Sequence, residues 1–170
     1  MPDGADPQIE APILRELFAY WQSRCLGRPF PSRADVDPMA IPALLPHLFL
    51  LDVEHGLDVE HGRELRFRIR LSGTFIDTVF FRDGRHRYLN DHTVNRRDPA
   101  RLDPYRAVVA TGRPSATRTS FVDDQRRQYE YERLLLPLAV DDPARVDMIL
   151  GGLAFSQPFP SPSELAERGV

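Results

Sequence analysis

Lysine is absent: all 22 Lys+Arg positions of the chain are arginine. That removes lysine Schiff bases, covalent pyridoxal phosphate attachment and the Walker-type phosphate loop, each of which needs an ε-amino group. Cysteine is nearly absent too. Cys25 alone can close neither an internal disulfide nor a cysteine-rich metal site, so nothing points to an oxidising compartment. No apolar stretch approaches the roughly 18 residues that span a bilayer. The N-terminal MPDGADPQIEAP is acidic and proline-rich, with neither the basic nor the apolar part of a secretion signal. The expectation is a cytoplasmic protein without a membrane span. Charge of one sign is also lacking, and a net charge of -3 argues against a nucleic-acid partner, which calls for a clearly basic domain. The arginine bias fits a GC-rich coding genome better than an arginine-specific role such as bidentate anion binding.

What is present suits one compact domain: 170 residues, 42% hydrophobic and 28% charged, with 16 prolines and 10 glycines placed at the ends of apolar runs. Ile13, Leu14, Leu17, Phe18 and Trp21 recur at helical spacing, which predicts an amphipathic helix over 11–26 with Pro12 in its first turn. Asp37-Pro38 offers a cap for a short helical piece toward Leu45. HLFLLDV (47–53) and ELRFRIRL (64–71) read as a strand pair, the second with Phe67, Ile69 and Leu71 on one face and Arg66, Arg68 and Arg70 on the other. Between them LDVEHG (51–56) recurs as 57–62, a tandem copy that a hairpin tip tolerates because closure cost rises slowly with loop length.

Phe75 to Phe81 reads as a short helix, 85–97 as irregular, and Asp98-Pro99 and Asp103-Pro104 as alternative starts of a helix that Gly112 and Pro114 end. Three strands follow, 115–122, 129–138 and 146–155, with turn-rich links that make a meander. Ser161-Pro162-Ser163-Glu164 has capping-box spacing close to the last residue, and no effector domain is expected after it. The fold class is α+β, with about five antiparallel strands.

The order ββ, short helices, βββ is that of the PAS sensor fold. The chain also resembles a mostly α-proteobacterial family of PAS domains in YWQSRCLGRPFPSRADVDP, IPALLPHLFLLDV, FRIRLSGT, VVATGRP, YERLLLPL and VDMILGGLAF, together spanning about Tyr20 to Phe155. The resemblance implies a five-stranded antiparallel sheet with short helices on one face and an N-terminal amphipathic helix. It divides the chain into a flexible tail (1–10), the helix (11–30), the PAS-like domain (31–157) and a C-terminal tail (158–170). It also implies a non-catalytic sensory or regulatory module in bacterial signal transduction that homodimerises and acts by contact with an unknown protein effector. A small ligand between sheet and helices is part of that picture, but no cofactor carries over to named positions.

Cavity candidates are Phe67 and Ile69 on the second strand, Phe75, Val79 and Phe80 on the short helix, and Met148 and Leu150 on the last strand. Tyr88 and His92 are candidates for polar contacts, since small-molecule pockets are mostly apolar with few placed polar groups. Which parity of the last two strands faces inward stays open. Leu14, Phe18, Tyr20 and Trp21 are the candidate dimer interface, an apolar face from which a two-fold pair could form. Two other readings stand beside this one. A purely structural dimerisation adaptor would have a filled core. A small α+β enzyme would use Tyr88, His92 or Asp91 as acid or base in the cavity.

Other constellations read more simply. Glu54, His55, Glu60 and His61 could suit a divalent metal, but copying sets their spacing, so no metal site is expected. His86 and His92 could serve haem, yet 98–111 contains no histidine. Cys25, at the end of the first helix, is out of place for flavin-adduct photochemistry. No GxSxG, HExxH or glycine loop supports a catalytic residue.

Overall fold

The structure is a computed structural model that describes residues 6–56, 64–80, 88–91, 98–122, 126 and 128–156, with the backbone alone for 78–80. The expected C-terminal cap and the second LDVEHG copy lie outside the described residues, as do His61, His86 and His92.

Helix α1 (Pro12–Cys25) begins on proline and buries Leu14, Leu17, Phe18 and Trp21. Its N-cap, Ala11, offers no side-chain acceptor. The missing cap comes from far along the chain: Glu132 accepts from the N–H groups of Glu10 at 2.9 Å and Ala11 at 2.7 Å, placing a carboxylate at the positive end of the helix. The helix ends on Leu26 in the left-handed region (φ 50°). There Arg28 donates to the carbonyls of Cys25 and Arg24 and pairs with Asp35 at 2.5 Å. That guanidinium, with the Ser32 N–H, holds the Asp35 carboxyl below its ordinary value.

Strands β1 (Leu48–His55) and β2 (Leu65–Ser72) form an antiparallel hairpin, closed where the Gly56 N–H donates to Glu64. A crossover follows through α2 (Thr74–Phe80), single-turn helices at 89–91 and 99–102, and α3 (Asp103–Thr111). Both proline starts are used, Pro99 by the single turn and Pro104 by α3. The meander β3 (Ser115–Val122), β4 (Gln128–Leu138) and β5 (Met148–Phe155) then returns to pair β5 with β1, so the sheet order is β2-β1-β5-β4-β3. Pro137 lacks an N–H for a ladder, but β3 ends opposite Leu135 and none is needed there. Segment 31–33 continues that edge instead, pairing with Ala139, and Trp21 Nε1 donates to the Pro137 carbonyl at 3.0 Å.

The sheet is covered on both faces. Toward α1 it presents Leu48, Leu50, Leu134, Leu136 and Leu138, with Leu14 and Leu17 of the helix lying over Gly152. Toward α2 and α3 it presents Phe49, Leu51, Phe67, Leu135, Ile149 and Leu153. A methyl at Gly151 would meet the Phe49 ring, so the Gly-Gly pair lets a helix approach one face and a ring fill the other.

The β2 alternation holds for Phe67 and Ile69 but not for Leu71. Arg70 and Leu71 together oppose Leu50 at a bulge, which swings Leu71 onto the arginine side, 58% exposed. On that face Asp52 takes Arg68 at 2.6 Å and Arg70 at 3.2 Å, and Arg66 pairs with Asp91 at 2.9 Å.

Candidate functional site

Arg133 sits in the middle of β4, between Thr117 of β3 and Leu153 of β5, and is 7% exposed. Strand parity puts it with Tyr131 and Leu135 on the side covered by α3, and Glu130 and Glu132 on the other. Its Nη1 donates to the Tyr105 hydroxyl at 3.3 Å and its Nη2 to Thr117 Oγ1 at 3.2 Å, while the guanidinium carbon lies 4.7 Å from the Tyr105 ring centroid. Tyr105 comes from the first turn of α3, and its ring meets Phe67 of β2 with centroids 5.5 Å apart. Burial pushes the Tyr105 phenol up, with the nearby Arg133 charge acting against it. Leu102 and Val108, three residues before and after Tyr105, are buried on the same helical face. At the other end of this layer Phe75 lies between His47 (centroids 4.9 Å) and Phe155 (5.5 Å). Burial lowers the His47 imidazole below its ordinary value, against a hydrogen bond with the Leu153 backbone.

Of the cavity candidates, Phe67, fully buried, Ile69 and Phe75 are on this side of the sheet. Met148 and Leu150 are on the other. Leu150 pairs with Leu50 and Met148 with Asp52, so both share the α1 face, and the expectation that they line one space with Phe67 is corrected by parity. Tyr88 is corrected as well: its hydroxyl donates to Glu54 at 3.0 Å and its ring lies under the Arg66 guanidinium at 3.7 Å, on the arginine face. Asp91 is spent on Arg66 there. His92 and the side chains of Val79 and Phe80 lie outside what is described.

The dimer candidates are enclosed by their own chain. Leu14, Phe18 and Trp21 are buried against the sheet, and the Tyr20 hydroxyl accepts from the Asp37 N–H at 2.8 Å and donates to its carbonyl at 3.1 Å. A partner meeting α1 meets Arg15, Glu16, Ala19, Gln22 and Ser23, so the assignment of the apolar stripe to a partner is corrected; the sheet has already covered it.

Sequence reasoning missed Arg133, Tyr105 and Thr117. The signal was an arginine leading the apolar run LLLPL, at the parity of Tyr131 and Leu135. Among the described residues no three of His, Cys, Asp and Glu come together as a metal site. Cys25 is half-buried, and burial raises its thiol. A groove of about 380 Å³ also runs on the α1 side between 36–46 and the sheet, lined by Ile41, Leu45, Leu50, Leu71 and Leu150.

The strand order and this two-faced burial meet a direct match: the family model described as PAS domain covers residues 9–154. The chain belongs to the PAS domain family. Solved structures similar to this PAS domain include the LOV protein of Rhodobacter sphaeroides (17% identity, 77% of this chain and 73% of that chain, TM-score 0.46). Another is an RNA-binding light-oxygen-voltage receptor (14% identity, 82% of this chain and 37% of that chain, TM-score 0.47). No curated protein matches. PAS domains are generally sensory modules, which fits a regulatory signalling role for this one. Among the described residues no helix is long and apolar enough to cross a membrane.

Proposed function

We propose that this PAS domain is a non-catalytic sensor that holds a small molecule between the sheet and α2/α3 and passes the signal to another protein by contact, homodimerisation included. The observation that carries the reading is the contrast between the two sheet faces. Under α1 the buried core of the sheet is largely leucine, and the groove beside it is lined mainly by apolar side chains. On the other face the sheet's Arg133 guanidinium and Thr117 hydroxyl meet the Tyr105 phenol of α3 among apolar side chains, the composition expected of a small-molecule site. Phe67, Ile69 and Phe75 supply apolar walls in this reading.

Native mass spectrometry of the purified protein, compared with its denatured mass, tests both halves. A dimer carrying added mass that is lost on denaturation is the expected result. A bare monomer under conditions that preserve noncovalent complexes refutes the dimer and the retained ligand together. A bare dimer leaves a contact adaptor in place of the sensor.

A further inference from the structure

We propose that the helix-side layer of this PAS domain recognises a small organic carboxylate, with Arg133 as the residue that binds it. This deepens the sensor reading above and rests on it.

Arginine cannot shed its charge in a protein interior, so a buried guanidinium has to be matched by an anion or by a full set of acceptors. Arg133 has neither. It is 7% exposed, two of its nitrogens reach only the hydroxyls of Tyr105 and Thr117, and no described group accepts from its Nε–H. Both partners are uncharged, since burial keeps the Tyr105 phenol protonated. The carboxylates on the same strand, Glu130 and Glu132, have the opposite parity, and Glu132 is committed to the start of α1. A second cation stands nearby: Arg101 donates to the Ser120 carbonyl at 2.8 Å, forms no ion pair among the described residues, and its charge is felt at Tyr105.

Two arginines around one buried tyrosine, without a counter-charge among the described residues, form a site for an anion. The free Nε–H and its neighbouring Nη form the edge that meets the two oxygens of a carboxylate. Phe67, Leu102 and Val108 beside it favour an apolar or aromatic body on that acid. Inorganic phosphate has no such body to bury.

The experiment is a thermal-shift and calorimetric titration of the whole protein with phenylacetate, octanoate and succinate. The neutral isostere 2-phenylethanol and inorganic phosphate serve as comparisons, and each probe is repeated on Arg133→Met and Arg101→Gln. The expected result is that phenylacetate or octanoate stabilises the wild type while phenylethanol does not. Arg133→Met should weaken binding by about 10–100-fold, the worth of a charge-assisted hydrogen bond. If Arg133→Met does not fold, the Arg133 Nε–H resonance of the wild type decides, because it must shift and exchange more slowly when the acid is added.

Equal binding by phenylethanol, or undiminished binding by Arg133→Met, overturns the carboxylate assignment and leaves the sensor reading standing. Phosphate alone binding overturns the assignment in favour of an inorganic anion. Inert carboxylates together with a bare native mass overturn both.

Discussion

Gly151→Ala is the substitution whose effect the packing dictates most directly. A β-carbon built there overlaps Cζ and both Cε atoms of the Phe49 ring, far closer than the 3.4 Å at which ordinary contact begins. Neither side can give way easily. Gly151 lies on β5, which is hydrogen-bonded on both edges, to β1 and β4, and Phe49 is 7% exposed. Overpacking of this kind costs about 1–3 kcal/mol, and the fixed strand puts it near the upper end. At about 2–4 °C per kcal/mol for a chain of this size, a 3 kcal/mol loss lowers Tm by about 6–12 °C. Phe49→Ala alone should cost about 3–5 kcal/mol as a large-to-small core change. The double variant is the decisive one, because the new methyl then occupies part of the space the ring has left. Its loss should fall short of the summed single losses by about 1–3 kcal/mol. Urea titration followed by tryptophan fluorescence reads this cleanly, since Trp21 is the chain's one tryptophan and is 4% exposed. Additivity within about 0.5 kcal/mol, or an unchanged midpoint for Gly151→Ala, would refute the packing account.

Two further expectations concern single charged or titratable groups. Glu132→Ala strips the acceptor from the N–H groups of Glu10 and Ala11, so a loss of about 1–3 kcal/mol is expected, with faster amide exchange in the first turn of α1; unchanged exchange there would show that the carboxylate does not cap the helix. The lowered proton affinity of His47 means that acid protonates the unfolded chain first. Its contribution is therefore whole above about pH 6.5 and is lost as pH falls through the folded value. Stability should drop as pH falls below about 6.5, and His47→Gln should flatten that slope; an unaltered slope in denaturation curves would assign the effect elsewhere.

The elements of the fold were legible because each carries a local signal. Pro12 and the 3.6 period mark α1, Asp37-Pro38 marks a single turn in which Asp37 accepts from the Met39 N–H at 2.9 Å, and Gly112 stops α3 in the left-handed conformation at φ 65°. Misplacements arose where the local signal is silent. MILGGLAF is apolar throughout because β5 is covered on both faces, so alternation could not say that Met148 and Leu150 face α1. The bulge opposite Leu50 leaves no mark in FRIRL, yet it carries Leu71 to the other side of the sheet. The apolar stripe of α1 read equally well as a dimer contact or a core contact; the chain's own sheet occupies it.

By itself, then, the sequence determined the kinds of element, their order and the PAS family likeness, since periodicity, caps and turn residues act between neighbours in the chain. Only the tertiary structure decided what faces what. It brought Glu132 to the start of α1 and Tyr105 and Thr117 to Arg133, pairs separated by 121, 28 and 16 positions. No local preference encodes such pairings. They follow from strand register and from the need of each buried charge or N–H to find a partner once water is excluded.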